Sequence, residues 1–304
     1  MTQLLNALPG ALAQGLIWGV MAIGVYITYK VLDIADLTVD GSICTGAAVC
    51  TMLLLGGQSP WLALLCAVLA GVLAGAVTGL LHVGLGIPPI LAGILTQMVL
   101  WSVNLKLLGK ANQALPARTT PVLLSQMDVG GALPVLLGFC VALVALLVLF
   151  FGMELGCALR ATGCNPVMSR AQGVNTGLMK VVGLALSNGV VALSGALLCQ
   201  YQGYTDVNMG RGAVVIGLAA VVIGQAVLGR RGGRMAVQLG GVILGAVIYY
   251  IVYQVIIFAG FDTDLLKMFS AVVVAVFLGA PHVKAQLKAH SRSKKGDSGH
   301  AENE

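Results

Sequence analysis

Apolar stretches long enough to cross a lipid bilayer recur along the whole chain, and they constrain its fold more than any other feature. A helix needs about 20 such residues to cross the hydrocarbon core. The candidate spans are Ala11–Tyr29, Ile43–Leu55, Trp61–Leu81, Ile87–Leu108, Ala132–Phe151, Gly177–Leu198, Ala213–Leu228, Met235–Ala259 and Leu265–Ala280. Charged residues make up 9% of the chain, against about 25% in a soluble domain. The sequence therefore predicts an all-α polytopic membrane protein with about nine transmembrane helices.

The distribution of basic residues predicts the orientation of these helices. Nine spans place the two ends of the chain on opposite sides of the membrane. With the N-terminus outside, twelve of the 17 Lys and Arg residues face the cytoplasm, as the positive-inside rule requires. We expect a transmembrane domain over residues 1–280 and a disordered cytoplasmic tail over 281–304. The net charge of +6 then reflects membrane topology, and we expect no nucleic-acid partner.

The segment Asp33–Gly41 (DIADLTVDG) places three aspartates directly before the short apolar stretch Ile43–Leu55. An Asp at the centre of a membrane helix costs about 2.5–3.5 kcal/mol. A broken helix at membrane depth is tolerated where it is buried in protein or lines a wet cavity. Two interpretations therefore stay open: a cytoplasmic turn, or a broken, partly re-entrant second span.

In the second interpretation the helix after the break starts inside the membrane and points into a substrate pathway. Asp36 or Asp40 would cap that helix start. Asp36, Thr38 and Asp40 would be exposed to the pathway, and Gly41 would supply the flexible backbone of the break.

Further polar side chains lie in or beside the later spans. Such groups mark a functional site or a hydrogen bond between helices, and the sequence favours neither. The loop 200–211 (QYQGYTDVNMGR) is the most polar of the loops expected outside. The additional candidate pathway residues are Asn188, Gln200, Tyr201, Gln202, Tyr204 and Gln225.

A polar segment between two spans, Glu154–Thr176, carries strong helix-boundary signals. Asn165 is a good N-cap, Pro166 suits the first helical position, and Gly173 suits the position after the helix. These signals predict a two-turn helix, Pro166–Gln172, on the cytoplasmic face. Because so short a helix is marginal in water, it needs a surface to dock on.

Glycines at four-residue spacing, Gly71, Gly75 and Gly79, share one face of the third span. Small residues at this spacing let two helix backbones approach closely. We expect packing within the chain here, with contact to a second copy as the alternative. Gly241 and Gly245 receive the same interpretation.

Three stretches of the chain resemble a known family. They are RATGCNPVMSRAQGVNT at 160–176, LALSNGVVALSGALLCQYQGYTDVNMGRGAVVIGLAAVVIGQ at 184–225 and LDIADLTVDGS at 32–42. They resemble the permeases of the branched-chain amino-acid and ribose-type ATP-binding cassette (ABC) importers, and within these the tryptophan/tyrosine-type subfamily. The similarity runs from about Gly15 to Ala280.

The resemblance implies the membrane-spanning, non-enzymatic subunit of an importer in the bacterial inner membrane. The solute would be small, an aromatic or other amino acid. The partners would be a second permease copy, two ATP-binding subunits and an extracytoplasmic solute-binding protein. ATP and Mg²⁺ would bind on the ATPase subunits and no cofactor on this chain, which has no Walker A motif.

The resemblance also places a coupling helix within Cys157–Gly173, docked in a groove of the ATPase. The residues assigned to coupling are Arg160, Gly163, Asn165, Pro166, Arg170, Gln172 and Gly173. The chain departs from the family at two positions. Relatives usually carry an acidic residue where this chain has Cys164, and many carry Glu where it has Gln225.

Two other function classes compete with an ABC permease. An ion-coupled secondary transporter would carry inverted repeats and ionisable residues deep in several spans. A membrane enzyme would carry paired His or carboxylate side chains at catalytic spacing within the bilayer. Neither pattern is evident in the sequence.

Overall fold

The computed structural model describes residues 2–116, 120–228 and 234–258, together with the single helical residues Met268, Val272 and Ala275. The described residues are helical apart from loops and two short strands. The α-helices are α1 (Thr2–Tyr26), α2 (Val39–Leu55), α3 (Pro60–Gly84), α4 (Pro89–Leu108), α5 (Val129–Gly152), α6 (Glu154–Cys164), α7 (Pro166–Ala171), α8 (Thr176–Gln202), α9 (Ala213–Leu228) and α10 (Met235–Phe258). A π-helical turn, Ile27–Val31, continues α1.

Six of these helices are long and apolar enough to cross a membrane: α1 with its π-helical turn, α3, α4, α5, α8 and α10. The helices α2 and α9 are apolar but shorter, with 17 and 16 residues. The prediction of an all-α polytopic membrane protein is thus confirmed. Eight predicted spans coincide with helices, and the ninth, Leu265–Ala280, lies outside the described residues except for three helical positions.

The bundle is built around α1 and α8. The apolar window of α1 is 83% buried and that of α8 is 72% buried, whereas the windows of α4 and α5 are 28% and 22% buried. The helices α2, α3 and α1 pack against α8, and α9 and α10 pack against α1. The exposed sides of α3, α4 and α5 carry large apolar side chains, as expected of surfaces that face lipid or another membrane subunit.

The glycines of α3 pack within the chain, as predicted. A Cβ on Gly71 or Gly75 would overlap backbone carbonyl groups of α8, and a Cβ on Gly79 would lie 2.8 Å from the Cα of Val181. Gly245 of α10 meets α9 in the same way, because a Cβ there would overlap the Ala220 carbonyl group. These residues allow helix backbones to touch inside one chain.

A small antiparallel sheet closes one end of the bundle. Its strands are β1 (Asn112–Ala114) and β2 (Tyr204–Asp206), with Gln113 opposite Thr205. The sheet joins the loop after α4 to the loop after α8. We call this end of the bundle the strand end, and the opposite end, where α7 precedes α8, the α7 end.

Candidate functional site

The chain leaves helical geometry between the π-helical turn and α2, over Leu32–Thr38. Near the start of this break, Asp33 adopts a left-handed conformation, with φ of 55°. Gly41 does not supply the flexible backbone expected of it, because it lies inside α2. A Cβ on Gly41 would come within 3.0 Å of Leu100 in α4. Position 41 therefore requires a small residue because α2 and α4 approach each other closely there.

The break carries a buried carboxylate, Asp36, that is held by neutral donors. Asp36 Oδ1 accepts from the Thr38 backbone N–H at 2.8 Å, and Oδ2 accepts from Asn188 Nδ2 at 2.7 Å. Asn188 Oδ1 in turn accepts from Ser42 Oγ at 2.6 Å. Asp36 is 6% exposed and Asn188 is fully buried. Two residues that were predicted separately, Asp36 and Asn188, thus meet, and Asn188 lies at the middle of α8.

Threonine hydroxyls tie the end of the break to α3 and α4. The Thr38 and Thr78 hydroxyl oxygens lie 2.8 Å apart, and Thr78 Oγ1 donates to Thr96 Oγ1 at 2.9 Å. Thr38 makes no side-chain cap for α2. The sequence reading missed Thr78 and Thr96, and their position inside otherwise apolar spans was the available signal.

Asp40 caps a helix, but the helix is α9 rather than α2. Its Oδ2 accepts from the Gly212 backbone N–H at 3.0 Å, and its Oδ1 accepts from that of Val214 at 3.0 Å. The expectation that Asp40 bonds the amides of the helix it begins is wrong. Its carboxylate satisfies free donors at the start of α9, where a negative charge is also favoured by the helix dipole. The starts of α2 and α9 therefore meet at Asp40.

The predicted residues near the strand end have different surroundings. Gln200 is fully buried, and its Oε1 accepts from the Leu123 backbone N–H at 3.0 Å. The buried Tyr201 accepts at its carbonyl group from Gln126 N–H at 3.1 Å. These two residues fasten the loop before α5 onto α8.

The other three candidates do not join the Asp36–Asn188 cluster. Gln202 is half-buried at the end of α8, and Tyr204 is exposed in β2. Gln225 is exposed on α9, twelve residues after Ala213 and so about 18 Å along the helix from the Asp40 cap.

A cleft of about 510 Å³ opens beside Asp40, between α2, α4 and the loop before α9. Its polar lining comes from Asp40, Gln97, Ser102, Asn104 and Arg211, and Trp101 adds an aromatic face. Four of these residues lie on α4 and were not predicted from the sequence: Gln97, Trp101, Ser102 and Asn104. Gln97, Trp101 and Asn104 are spaced four and three residues apart, which places them on one face of the helix, and this spacing could have identified them.

At the α7 end, the structure confirms the predicted short helix. Asn165 Oδ1 accepts from the Val167 and Met168 backbone N–H groups at 3.1 and 3.0 Å. Pro166 is the first helical residue, and Gly173 adopts a φ of 84°. The helix ends at Ala171, one residue earlier than predicted, so Gln172 is its C-cap.

A second helix in this segment, α6, was not predicted. Its buried residues are Gly156, Leu159 and Thr162, a weak apolar stripe that is easily missed because two of its members are small or polar. Gly163 lies against the preceding π-helical turn, since a Cβ there would overlap the Val31 carbonyl oxygen. The segment is therefore packed onto the start of the break.

The two arginines assigned to coupling make contacts within the chain. Arg160 Nη2 donates to the Phe151 carbonyl oxygen at 3.1 Å. Arg170 Nε donates to Thr176 Oγ1 at 2.6 Å, so this arginine is held in place by the first residue of α8. Beside Arg170, the apolar side chains of Val167 and Met168 are 78% and 62% exposed.

Known proteins resemble the chain over most of its length. The family described as "Branched-chain amino acid transport system / permease component" matches residues 8–280. A "Tyrosine transport system permease protein" of Clostridioides difficile (strain R20291) is 37% identical over 287 residues, covering 93% of this chain and 94% of the relative.

Two more relatives are similar. An uncharacterized protein of Rickettsia prowazekii (strain Madrid E) is 33% identical over 279 residues, covering 91% of this chain and 98% of the relative. The "Autoinducer 2 import system permease protein LsrC" of Escherichia coli (strain K12 / DH10B) is 29% identical over 216 residues, covering 67% of this chain and 60% of the relative. No solved structure matches the chain. Because this family matches residues 8–280, the chain belongs to the permease family described as "Branched-chain amino acid transport system / permease component".

Proposed function

We propose that this permease imports an aromatic amino acid by alternating access, driven by ATP hydrolysis on partner subunits. The solute class is supported by the relative named as a tyrosine transport permease. ATP coupling is supported by the short capped helix α7, which presents the exposed Val167 and Met168 away from its own chain. Exposed apolar side chains on a polar face favour a protein partner, here the ATPase groove.

One contact carries the mechanism: Gly163 of α6 lies directly on the carbonyl group of Val31. Val31 ends the π-helical turn, and the break follows at once. Leu32, the first residue of the break, fills the space beside Gly183 of α8, where Leu159 of α6 also packs. A movement of α6 and α7 imposed by the ATPase is therefore passed to the break through packed backbone, without a flexible loop between them.

The break in turn holds the polar groups that line the pathway in this proposal. The helices α2 and α9 are about 25 and 24 Å long, against a hydrocarbon core of about 30 Å. Their starts meet at Asp40. Two residues further along α2, Ser42 donates to Asn188 at the middle of α8. Two short helices whose N-termini meet inside a bundle resemble the broken helices of transporters, which surround solute sites near the bilayer midplane.

The assembly that fits this function contains two copies of the permease, two ATP-binding subunits and an extracytoplasmic binding protein. In the membrane we place the strand end outside and the α7 end in the cytoplasm. This orientation agrees with the excess of basic residues on the α7 side. We further propose nine spans, the ninth formed within Leu265–Ala280, with ATP and Mg²⁺ held by the partner subunits.

Reconstitution tests this function. The complete complex is placed in proteoliposomes, with the binding protein outside and ATP inside, and uptake of radiolabelled L-tyrosine and L-tryptophan is measured. We expect uptake that needs ATP and the binding protein and that survives collapse of the ion gradients. Uptake driven by a proton or sodium gradient without ATP would instead favour the secondary transporter. In that case the buried Asp36 would be the coupling residue.

A further inference from the structure

The cleft beside Asp40 differs from a lipid-filled groove because opposite charges line it without neutralising each other. Asp40 and Arg211 both face it. Asp40 and Arg211 form no ion pair, and the exposed Arg211 guanidinium makes no hydrogen bond to the described residues. Asp40 uses its two oxygens for the α9 amides, and a carboxylate can accept about four hydrogen bonds.

A second donor in the cleft, the side-chain amide of Asn104, also lacks a hydrogen-bond partner. Asn104 is 1% exposed, and its Nδ2 is buried without a hydrogen bond in the described structure. A buried donor left unsatisfied is costly, and native proteins rarely keep one without a purpose. Asn104 and Arg211 both line the cleft, so the amide and the guanidinium belong to the same site.

The other lining residues are mostly apolar, with Gln97 and Ser102 as the polar exceptions, and they leave room for an aromatic ring. Trp101 and Met98 are 44% and 65% exposed, and both line the cleft. Its volume of about 510 Å³ falls within the range of about 300–1,000 Å³ for small-molecule sites. The lining runs from Ile94 to Asn104 of α4, about 15 Å along the helix, so the cleft leads from the strand end toward the Asp36–Asn188 cluster.

The geometry points to this cleft as a recognition site for the zwitterion of an aromatic amino acid. The solute carboxylate accepts hydrogen bonds from Asn104 Nδ2 and the Arg211 guanidinium. The solute ammonium donates to the free lone pairs of Asp40, and the ring lies against Trp101 and Met98. The inference rests on the proposed function and adds to it a site on the permease itself, separate from the one on the binding protein.

A thiol placed in the cleft reports occupancy. Ser102 lines the cleft and is exposed. Ser102→Cys is introduced into the full-length permease in nanodiscs, with the cysteines that are not buried, Cys66, Cys157 and Cys164, replaced by serine. The rate of modification by a water-soluble thiol reagent is then measured. We expect L-tyrosine and L-tryptophan to slow it, L-leucine to slow it less, and tyramine and 3-(4-hydroxyphenyl)propionate, which lack one of the two charges, to leave it unchanged.

Variants locate the site and separate binding from folding. Asn104→Leu and Arg211→Gln should each raise the apparent Kd for L-tyrosine about tenfold or more, because each removes a donor to the solute carboxylate. Asn104→Leu should not lower the melting temperature, since it removes a buried donor that has no partner. Lys106→Gln, an exposed change on the same helix, is the control and should bind as wild type.

Equal protection by tyramine, the propionate and the amino acids would overturn the inference and identify the cleft as an apolar groove. It is also overturned if no compound protects the thiol while the complex still imports L-tyrosine with ATP, and the proposed function then stands. Protection by the zwitterions alone, in a complex without ATP-dependent uptake, would keep the site and reject the proposed function.

Discussion

Adding a methyl group at Gly163 should uncouple ATP hydrolysis from transport. A Cβ at this position would overlap the Val31 carbonyl oxygen, so α6 and the start of the break must move apart. Overpacking of this kind costs about 1–3 kcal/mol. This free energy destabilises the conformation in which α6 touches the start of the break. A difference of this size changes the ratio of that conformation to one in which they are apart by about 5–150-fold.

We therefore expect Gly163→Ala to reduce uptake per ATP hydrolysed at least about fivefold, with Gly163→Val reducing it further. The complex should still assemble, because the exposed face of α7 is unchanged. The assay measures L-tyrosine uptake and phosphate release in the same proteoliposomes, with gel filtration to check assembly.

Gly152→Ala is the matched control. Gly152 ends α5, close in sequence to α6, and a Cβ there would meet nothing within 4 Å among the described residues. It should keep the wild-type ratio of uptake to hydrolysis. A Gly163→Ala complex that assembles and shows the same ratio as the control would refute the proposed mechanical link between α6 and the break.

Three further predictions address the pathway, the docking helix and the topology. Asp40→Asn should lower the rate of uptake without lowering membrane abundance, because it weakens the cap on α9. Asp33→Asn changes an exposed residue and should have a milder effect. Equal uptake rates for the two variants would contradict the assignment of Asp40 to the pathway. Arg170→Glu should abolish coupling, because it reverses a charge at the ATPase surface. Thr176→Val removes only the contact of Arg170 within the chain, so this control should still couple. If Arg170→Glu transports normally and still binds the ATPase in a pull-down, α7 is not the docking helix. Glu302→Cys should resist membrane-impermeant thiol labelling in intact cells, and labelling from outside would reverse the proposed orientation.

Features set by local chemistry were predictable from the sequence. Asn165, Pro166 and Gly173 each satisfy a requirement of a helix end that depends only on neighbouring residues, so α7 was placed within one residue. The face of α3 that bears Gly71 and Gly75 followed from helical periodicity.

Features that depend on contacts distant in sequence were not predictable. Asp40 was expected to cap its own helix, but its partners Gly212 and Val214 lie more than 170 residues away. The pairing of Asp36 with Asn188 likewise needed the folded bundle. Asn104 went unnoticed because hydropathy averaged over a span hides a single polar residue.

In the proposed mechanism the break before α2 lies on the solute path and moves with the ATP cycle. Thr38 tests it, since it is fully buried and bonded to Thr78 in this structure. The assay follows Thr38→Cys, in a permease whose other accessible cysteines are replaced, within the assembled complex, using small water-soluble thiol reagents with and without vanadate-trapped nucleotide. We predict that the thiol reacts in one of the two states and is protected in the other. A thiol that stays unreactive in both states would contradict the claim.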